Sequence, residues 1–376
     1  MIRWLWRLAW LLVPAAWAVH HYAPGRAVLA FSLACLSLMP LAKAMGDATE
    51  ELSERLGAAA GSLLNSTFGN AAELILGIAA LRGGRVELVK GSITGSILGN
   101  LLLVAGGSIL VGGLRRPRLR FSSVSAGASV SILFLAVVAL ATPALLGHST
   151  GKPQTAIAIS EAISVVLLVM YGLSLLFTLK TGQLIAREAA AAEAAKSRPP
   201  LLATPGEAAS LLQPRAQLHP EAPQGPVLPA VARLLAAAAA TAGAREVRVA
   251  ALEGTLQTVH LPEVFVGVVI VAIVGNAAEH STALIFAWRG EMDVALGIAW
   301  ESSKQIALFV APVLVFTGAI LGVPMDLAFS QLEVVAVALA VIATALIALD
   351  GQSHWLEGAF LLAVYAVLAI GFWFVG

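Results

Sequence analysis

Two copies of one pentapeptide decide the fold: Gly69-Asn70-Ala71-Ala72-Glu73 and Gly275-Asn276-Ala277-Ala278-Glu279. Each copy places an amide and a carboxylate inside an apolar stretch long enough to cross a membrane. An acidic side chain is costly there, so it marks a functional site by default. The offset of 206 residues between the copies also superposes Ser96 on Ser302 without a gap. The chain is therefore predicted to consist of two related halves, each supplying one intramembrane glutamate.

The composition is typical of a polytopic membrane protein. Of the 376 residues, 59% are hydrophobic and only 12% are charged, so a soluble fold would lack the polar surface to cover its core. The net charge of +1 argues against a nucleic-acid partner. The one cysteine, Cys35, excludes a disulfide framework and a cysteine metal cluster, and we expect a small apolar side chain within a helix.

Hydrophobic stretches of roughly 20 residues predict about eleven transmembrane helices, and the predicted fold class is an all-α membrane protein. Arg3 and Arg7 before an apolar run imitate a cleavable signal peptide, but the bulky tryptophans that follow favour a retained first helix. The predicted spans are 2–19, 26–44, 62–81, 91–113, 124–146, 155–179, 229–251, 261–288, 294–321, 331–349 and 354–375.

The predicted spans divide the chain into four parts. Residues 1–25 form an extra N-terminal helix, 26–181 a first repeat of five spans, and 228–376 a second repeat of five spans. Residues 182–227 are rich in Ala, Pro, Gln and Glu, which is typical of a disordered linker. Because five is an odd number, the second repeat starts on the opposite side of the membrane. Such inverted repeats place a substrate near the bilayer midplane, at their interface.

Basic residues gather in the loops on one face, which predicts a cytoplasmic N-terminus and linker and an external C-terminus in a bacterial-type inner membrane. The densest group comprises Arg115, Arg116, Arg118 and Arg120. We interpret this group as part of the topological signal. The alternative is a site for lipid headgroups.

The motif chemistry fits a hard divalent cation. Glycine and asparagine are poor helix formers, so both motifs predict a break that exposes backbone oxygens to a cavity. Calcium takes about six to eight oxygen ligands. Glu73 and Glu279 would supply two negative charges, and Asn70 and Asn276 neutral oxygens. The alternative is that each glutamate merely satisfies a backbone group or an arginine.

Protons are predicted to compete with calcium for the same two carboxylates. An empty glutamate in a low-dielectric site favours its neutral form, and a bound cation reverses that preference. Competition at one site that opens alternately to either side is sufficient for exchange. We therefore expect Ca²⁺ and H⁺ as transported ions, with no catalytic residue and no organic cofactor.

A second set of polar residues is predicted to line the cavity or to conduct protons. His280 either packs as a hydrogen-bonding residue or handles protons. Glu50 and Glu246 are either gates or solvated helix ends. For the others the alternative is a role in close helix packing. These others are Ser66, Thr67, Ser96, Asn100, Ser302, Ser303 and Gln305.

The motifs in their context resemble the bacterial calcium/proton antiporters of the cation/calcium exchanger superfamily. The similar segments are 63–73, 95–104, 271–280 and 305–312. The resemblance covers nearly the whole chain except the linker. It implies an eleven-helix fold, embedded in membrane lipid, that expels cytosolic calcium against an inward flow of protons. It also implies that Glu73 and Glu279 are the ion site and that Glu50 and Glu246 match further acidic positions.

The chain departs from that family at Glu301-Ser302-Ser303-Lys304-Gln305, where the family usually has glycine first and an apolar or small residue fourth. Two charges in a span are costly unless paired, and their i, i+3 spacing predicts an ion pair. Alternatively, Lys304 approaches Glu279 as a tethered cation, or Glu301 adds a calcium ligand. Either change would modify ion selectivity.

Three other functions remain as alternatives to calcium/proton exchange. A related exchanger would use sodium or move another divalent or monovalent ion. A calcium channel or sensor would need no coupling. An intramembrane enzyme has the least support, because neither a His-Glu-x-x-His motif nor a nucleophile–base arrangement occurs in the sequence.

Overall fold

The computed structural model describes residues 11–23, 25–56, 70–150, 153–177, 229, 231–233, 235–236 and 262–375. This part of the chain is almost entirely helical. It holds six helices long and apolar enough to cross a membrane, and a seventh if one bent pair counts as a single span. The predicted class, an all-α membrane protein, is confirmed, while the number eleven stays a prediction.

The described helices follow the two predicted halves. Those before the linker are α1 (Leu12–Tyr22), α2 (Ala27–Leu56), α3 (Ala71–Arg82), α4 (Val86–Arg115), α5 (Ser123–Thr150) and α6 (Pro153–Phe177). Those after it are α7 (Glu263–Gly275), α8 (Ala277–Arg289), α9 (Met292–Leu321), α10 (Gln331–Ala348) and α11 (Trp355–Val375). The predicted linker, most of the predicted seventh span, and Ser66, Thr67 and Glu246 lie outside the described residues.

The predicted end of the second span at residue 44 is wrong, because α2 continues to Leu56. The hydrophobic stretch stops there, but the following residues are mostly good helix formers such as Met, Ala, Leu and Glu. Ala48 and Leu52 in this extension are buried and pack with Ala71 at the start of α3. Packing therefore extends the helix beyond the apolar segment.

The span predicted as one helix over 261–288 is broken at the motif. Its two parts, α7 and α8, meet at Asn276 with a bend of 59°. Asn276 has φ −93° and ψ 8°, outside the helical region. The break that the glycine–asparagine pair predicts is therefore present in the second half.

Two short strands were not predicted. β1 (Leu119–Arg120) and β2 (Gln352–Ser353) pair antiparallel, with Leu119 opposite Ser353. Strands of two residues have no readable alternation of apolar and polar side chains. They form because the loops that follow α4 and α10 meet in space.

The two halves touch backbone to backbone where α4 crosses α7. A Cβ atom added at Gly95 would lie 2.1 Å from the carbonyl oxygen of Val268, and one added at Gly267 would lie 2.9 Å from that of Leu88. Only glycine permits so close an approach. The crossing brings Ser96, the next residue of α4, against the second motif.

Three stretches of the helices are π-helical: Gly99–Val104 in α4, Val266–Val271 in α7 and Ile306–Val310 in α9. Under the 206-residue offset, 99–104 corresponds to 305–310, so the first and third lie at equivalent places in the two halves. Short π segments inside α-helices are frequent at functional sites. The second and third include residues of the cavity described below, namely Val271, Ile306 and Val310.

A buried polar network joins the N-terminal end of α4 to the loop before α10. Lys90 Nζ lies 2.6 Å from Asp326 Oδ1 and donates to the Ala328 carbonyl at 3.1 Å. One turn further along, Thr94 Oγ1 donates to Glu333 Oε1 at 3.1 Å. A buried ammonium group needs such partners, because an unpaired charge away from water is very costly. The network holds the two halves together at this end.

Candidate ion site

The two motifs have the same local geometry. Asn70 and Asn276 are both buried, both leave the helical region of φ and ψ, and each directly precedes a helix. Glu73 and Glu279 therefore lie in the first turns of α3 and α8. A helix N-terminus favours negative charge through its unpaired N–H groups and the helix dipole. The break thus places each carboxylate where a carboxylate is stabilised.

Each motif asparagine binds the span that follows the other motif. Asn276 Nδ2 donates to Ser96 Oγ on α4 at 3.0 Å. Asn70 Nδ2 donates to Gln305 Oε1 on α9. These crossed contacts hold both asparagines at the interface between the halves, where inverted repeats place their substrate.

Both glutamates retain unused oxygen atoms at this interface. Glu73 Oε2 and Glu279 Oε2 are buried, and neither has a hydrogen-bond partner among the described residues. The amide oxygen of Asn276 is also buried and has no hydrogen-bond partner among the described residues. Buried oxygens are rarely left without a partner, so three such atoms at two symmetric motifs indicate a place for a cation or a proton.

Glu73 of the first half lies against the motif that contains Glu279. Glu73 Oε1 lies 3.8 Å from the position that a Cβ atom on Gly275 would occupy, so the acid of the first half rests against the motif of the second. Gly275 precedes Glu279 by four residues in that motif. Neighbouring carboxylates repel each other unless a counter-ion or a proton neutralises them.

A small cavity of about 20 Å³ lies beside the motifs, which is enough for one water-sized particle. It is lined by residues from both halves: Glu73, Leu76, Ser92, Ile93, Ser96, Val271, Gly275, Asn276, Ile306, Val310 and Leu314. Glu73, Ser96 and Asn276 thus meet at one cavity, whereas Glu279 is not among its lining residues.

A hydrogen bond crosses from the first half to the span that follows the second motif. Asn100 Nδ2 donates to Ser302 Oγ at 2.9 Å, and the Ser302 hydroxyl lies near the Glu279 carboxylate. A hydroxyl has one hydrogen. Since Ser302 accepts from the amide, it is free to donate that hydrogen to the carboxylate. The residue equivalent to Asn100 in the second half is Ile306, so Glu73 has no matching arrangement.

The other predicted residues fall into different environments. Ser303 donates to the Ala299 carbonyl of its own helix at 3.0 Å and does not line the cavity. His280 follows Glu279, and its Nε2 atom is buried without a hydrogen-bond partner in the described structure. Glu50 lies in α2, and its side chain is outside the described part.

Glu301 and Lys304 form the ion pair expected from their spacing. The Lys304 side chain is only 10% exposed, whereas that of Glu301 is 51% exposed, and neither residue lines the cavity. The pair satisfies a nearly buried ammonium group within α9. An influence of this pair on ion selectivity stays a prediction.

Ser92 is a cavity residue that the sequence analysis missed. It precedes Ser96 by four residues, so it lies on the same face of α4. That spacing could have identified it. The π-helical segments gave no comparable signal, because hydrophobic periodicity does not distinguish a single wide turn within a helix.

The crossed motif contacts and the cavity beside them define a helical membrane protein with a polar cavity between its two halves. The chain belongs to the sodium/calcium exchanger protein family, whose model matches residues 26–180 and 229–374. The family resemblance seen in the motifs is thereby confirmed.

Named relatives match over almost their full length. The chain is 40% identical over 363 residues to the Ca(2+)/H(+) antiporter of Synechocystis sp., which covers 96% of this chain and 95% of that protein. It is 38% identical over 343 residues to the Ca(2+)/H(+) antiporter ChaA of Bacillus subtilis, with 91% of each covered. Among solved structures, native YfkE superposes with a TM-score of 0.78 at 35% identity, over 98% of this chain and 100% of that one.

Proposed function

We propose that this chain is a secondary-active Ca²⁺/H⁺ antiporter in which Glu73 and Glu279 bind either one calcium ion or protons. The supporting observation is the pair of buried carboxylate oxygens without partners, one from each half, at the interface of the repeats. Two relatives that match almost the whole chain are named Ca(2+)/H(+) antiporters.

Charge balance accounts for the exchange. Calcium, as substrate, would neutralise both carboxylates and take neutral oxygens from Asn70, Asn276 and Ser96. When calcium leaves, two adjacent buried acids repel each other and recover neutrality by taking up protons. The acids cannot hold both ligands at once, so the binding of one ion releases the other.

Alternating access would expose this one site first to one side of the membrane and then to the other. With the N-terminus in the cytoplasm of a bacterial-type cell, inward proton flow would drive calcium out. Gating by Glu50 and Glu246, and proton handling by His280, belong to the same proposal.

Sodium is the second candidate for the coupling ion. The description of the matching family names sodium and calcium together. Carboxylate and amide oxygens are hard ligands that also accept sodium. The two candidates differ in the gradient that moves calcium.

Purified protein in sealed vesicles loaded with calcium tests the proposal. An imposed pH gradient should drive calcium flux, and a sodium gradient of the same size should not. Glu73→Gln and Glu279→Gln should each reduce the flux to that of protein-free vesicles, because one acid cannot neutralise a divalent ion. Glu161→Gln in α6 is the matched control, since this half-buried glutamate does not line the cavity.

Three outcomes would contradict the proposal. Flux that follows only the sodium gradient would favour the sodium-coupled exchanger. Fast loss of calcium from the loaded vesicles without an imposed pH or sodium gradient would identify a channel. Full flux in both glutamine variants would show that the site lies elsewhere.

A further inference from the structure

A second, larger cavity of about 580 Å³ lies at the other end of the molecule from the Lys90 network, where α4 ends and α11 begins. It shares no residue with the ion cavity. Gly113 is one of its lining residues. A Cβ atom added there would lie 2.5 Å from the backbone nitrogen of Trp355, so the two helices touch at this point. The cavity is therefore built into the contact between two membrane spans.

One wall of this cavity is apolar and exposed. Leu114 is 69% exposed, Leu356 56% and Trp355 48%. All three lie at the last or first turn of helices that are apolar enough to cross a membrane. Tryptophan at the end of a span typically sits at the level of the lipid headgroups. This wall thus faces the place where an acyl chain meets its headgroup.

The arginine rim of the cavity consists of Arg115 and the neighbouring Arg118, and Arg115 is partly preorganised. The guanidinium carbon of Arg115 lies 4.2 Å from the ring centroid of Trp288, and Arg115 Nη1 donates to the Trp288 carbonyl at 3.4 Å. Stacking on an aromatic ring leaves the edge of a guanidinium able to donate further hydrogen bonds. Arg118, next to the cavity residue Pro117, is exposed and has no ion pair in the described structure.

The neighbouring charged groups do not cancel these arginines. Arg116 donates to the Arg289 carbonyl at 2.9 Å and so caps α8. Glu357 accepts a hydrogen bond from Ser353 at 2.6 Å and lies 4.0 Å from His354 Nε2. The arginine rim therefore keeps a net positive charge.

We propose that this cavity binds the headgroup of an anionic phospholipid. Arg115 and Arg118 would hold the phosphate, which guanidinium groups match through paired hydrogen bonds. The acyl chains would run along the exposed wall formed by Leu114, Trp355 and Leu356. A lipid fits this arrangement better than a free phosphate does, because the apolar wall continues directly from the rim along the surface of the spans. The inference is independent of the ion that the protein transports.

Native mass spectrometry of the purified protein tests the inference. Protein in a non-ionic detergent is mixed with equal amounts of phosphatidylglycerol and phosphatidylcholine, and the bound lipid is counted. We expect phosphatidylglycerol to be retained preferentially. Arg118→Gln should weaken its binding about fivefold, and Arg115→Gln combined with Arg118→Gln should weaken it by about that factor again, since each basic residue near a membrane contributes comparably.

Arg82→Gln is the matched control. Arg82 is also exposed, but it lies just before the N-terminal end of α4, whereas the cavity lies at the C-terminal end. It should leave lipid retention unchanged. Arg118 makes no described contact, so its removal does not endanger the fold. Equal retention of the two lipids would overturn the inference, and so would an equal loss in Arg82→Gln.

Glycerol phosphate that displaces the lipid at equal concentration would show a free-phosphate site instead. Calcium flux that persists in all these variants separates this test from that of the ion site.

Discussion

At the scale of single residues, Ser302 connects the two halves of the ion site. It accepts a hydrogen bond from Asn100 of α4, and its hydroxyl lies near the Glu279 carboxylate of α8. The amide fixes the direction in which the hydroxyl points, so Asn100 acts as a positioning residue for the acid. Glu73 lacks this support because Ile306 replaces the asparagine in the second half. Two acids in matching motifs therefore have unequal surroundings.

Asn100→Leu should weaken calcium binding without abolishing exchange. The leucine side chain is close in size to that of asparagine but has no N–H group. Ser302 therefore loses the partner that orients it. A net hydrogen bond contributes about 0.5–1.5 kcal/mol, which corresponds to a roughly two- to twelvefold increase in the calcium concentration for half-maximal flux. The measurement is calcium-dependent proton flux in vesicles.

The control for this change is Ser108→Ala. Ser108 is buried on the same helix, and its hydroxyl has no partner in the described structure, so its removal should leave the half-maximal concentration unchanged. An equal shift in both variants would show that Asn100 acts only through the packing of α4.

At the scale of elements, the crossing of α4 and α7 determines how the two motifs meet. Gly95 lies against the backbone of Val268, and this contact sets the distance between Ser96 and Asn276. The backbone cannot move aside as a flexible side chain can. A single methyl group at this position must therefore separate the helices.

Gly95→Ala should lower the stability of the protein by about 1–3 kcal/mol, the usual cost of overpacking. The readout is the melting temperature in detergent. Gly99→Ala on the same helix is the control, since a Cβ atom there meets nothing within 4 Å. A melting temperature that falls equally in the two variants would indicate a general intolerance of α4 to alanine.

At the scale of the whole molecule, α4 connects two different surfaces. The basic residues around Arg118 lie at its end, and the Lys90 network lies near its beginning. A helix of 30 residues is about 45 Å long, which is enough to cross the bilayer. The two ends should therefore face opposite compartments.

Cysteine labelling tests the predicted orientation. In a Cys35→Ser background, a membrane-impermeant maleimide should label Arg82→Cys but not Arg118→Cys in right-side-out vesicles. Inverted vesicles should give the reverse pattern, because the basic residues favour the cytoplasmic side. Labelling of both cysteines from one side would refute the assignment of α4 as a span. In right-side-out vesicles, labelling of Arg118→Cys but not of Arg82→Cys would show that the chain has the opposite orientation in the membrane.

Much of this architecture could be predicted from local sequence features. The break at Asn276 follows from the poor helix propensity of glycine and asparagine, and the Glu301–Lys304 pair follows from i, i+3 spacing. The extension of α2 to Leu56 could not be predicted in this way, because it depends on packing against Ala71.

The sequence by itself determined the membrane class, the two related halves and the two acids, because apolar length, repetition and buried charge are local properties of a chain. Only the tertiary structure decided which polar atoms meet. The crossed contacts of Asn70 with Gln305 and of Asn276 with Ser96 join residues far apart in the chain. So do the contact of Asn100 with Ser302 and the cavity beside Arg115. Such contacts depend on how closely the helices approach each other. Glycines set that distance, and their effect becomes visible only where the backbone of another helix lies against them.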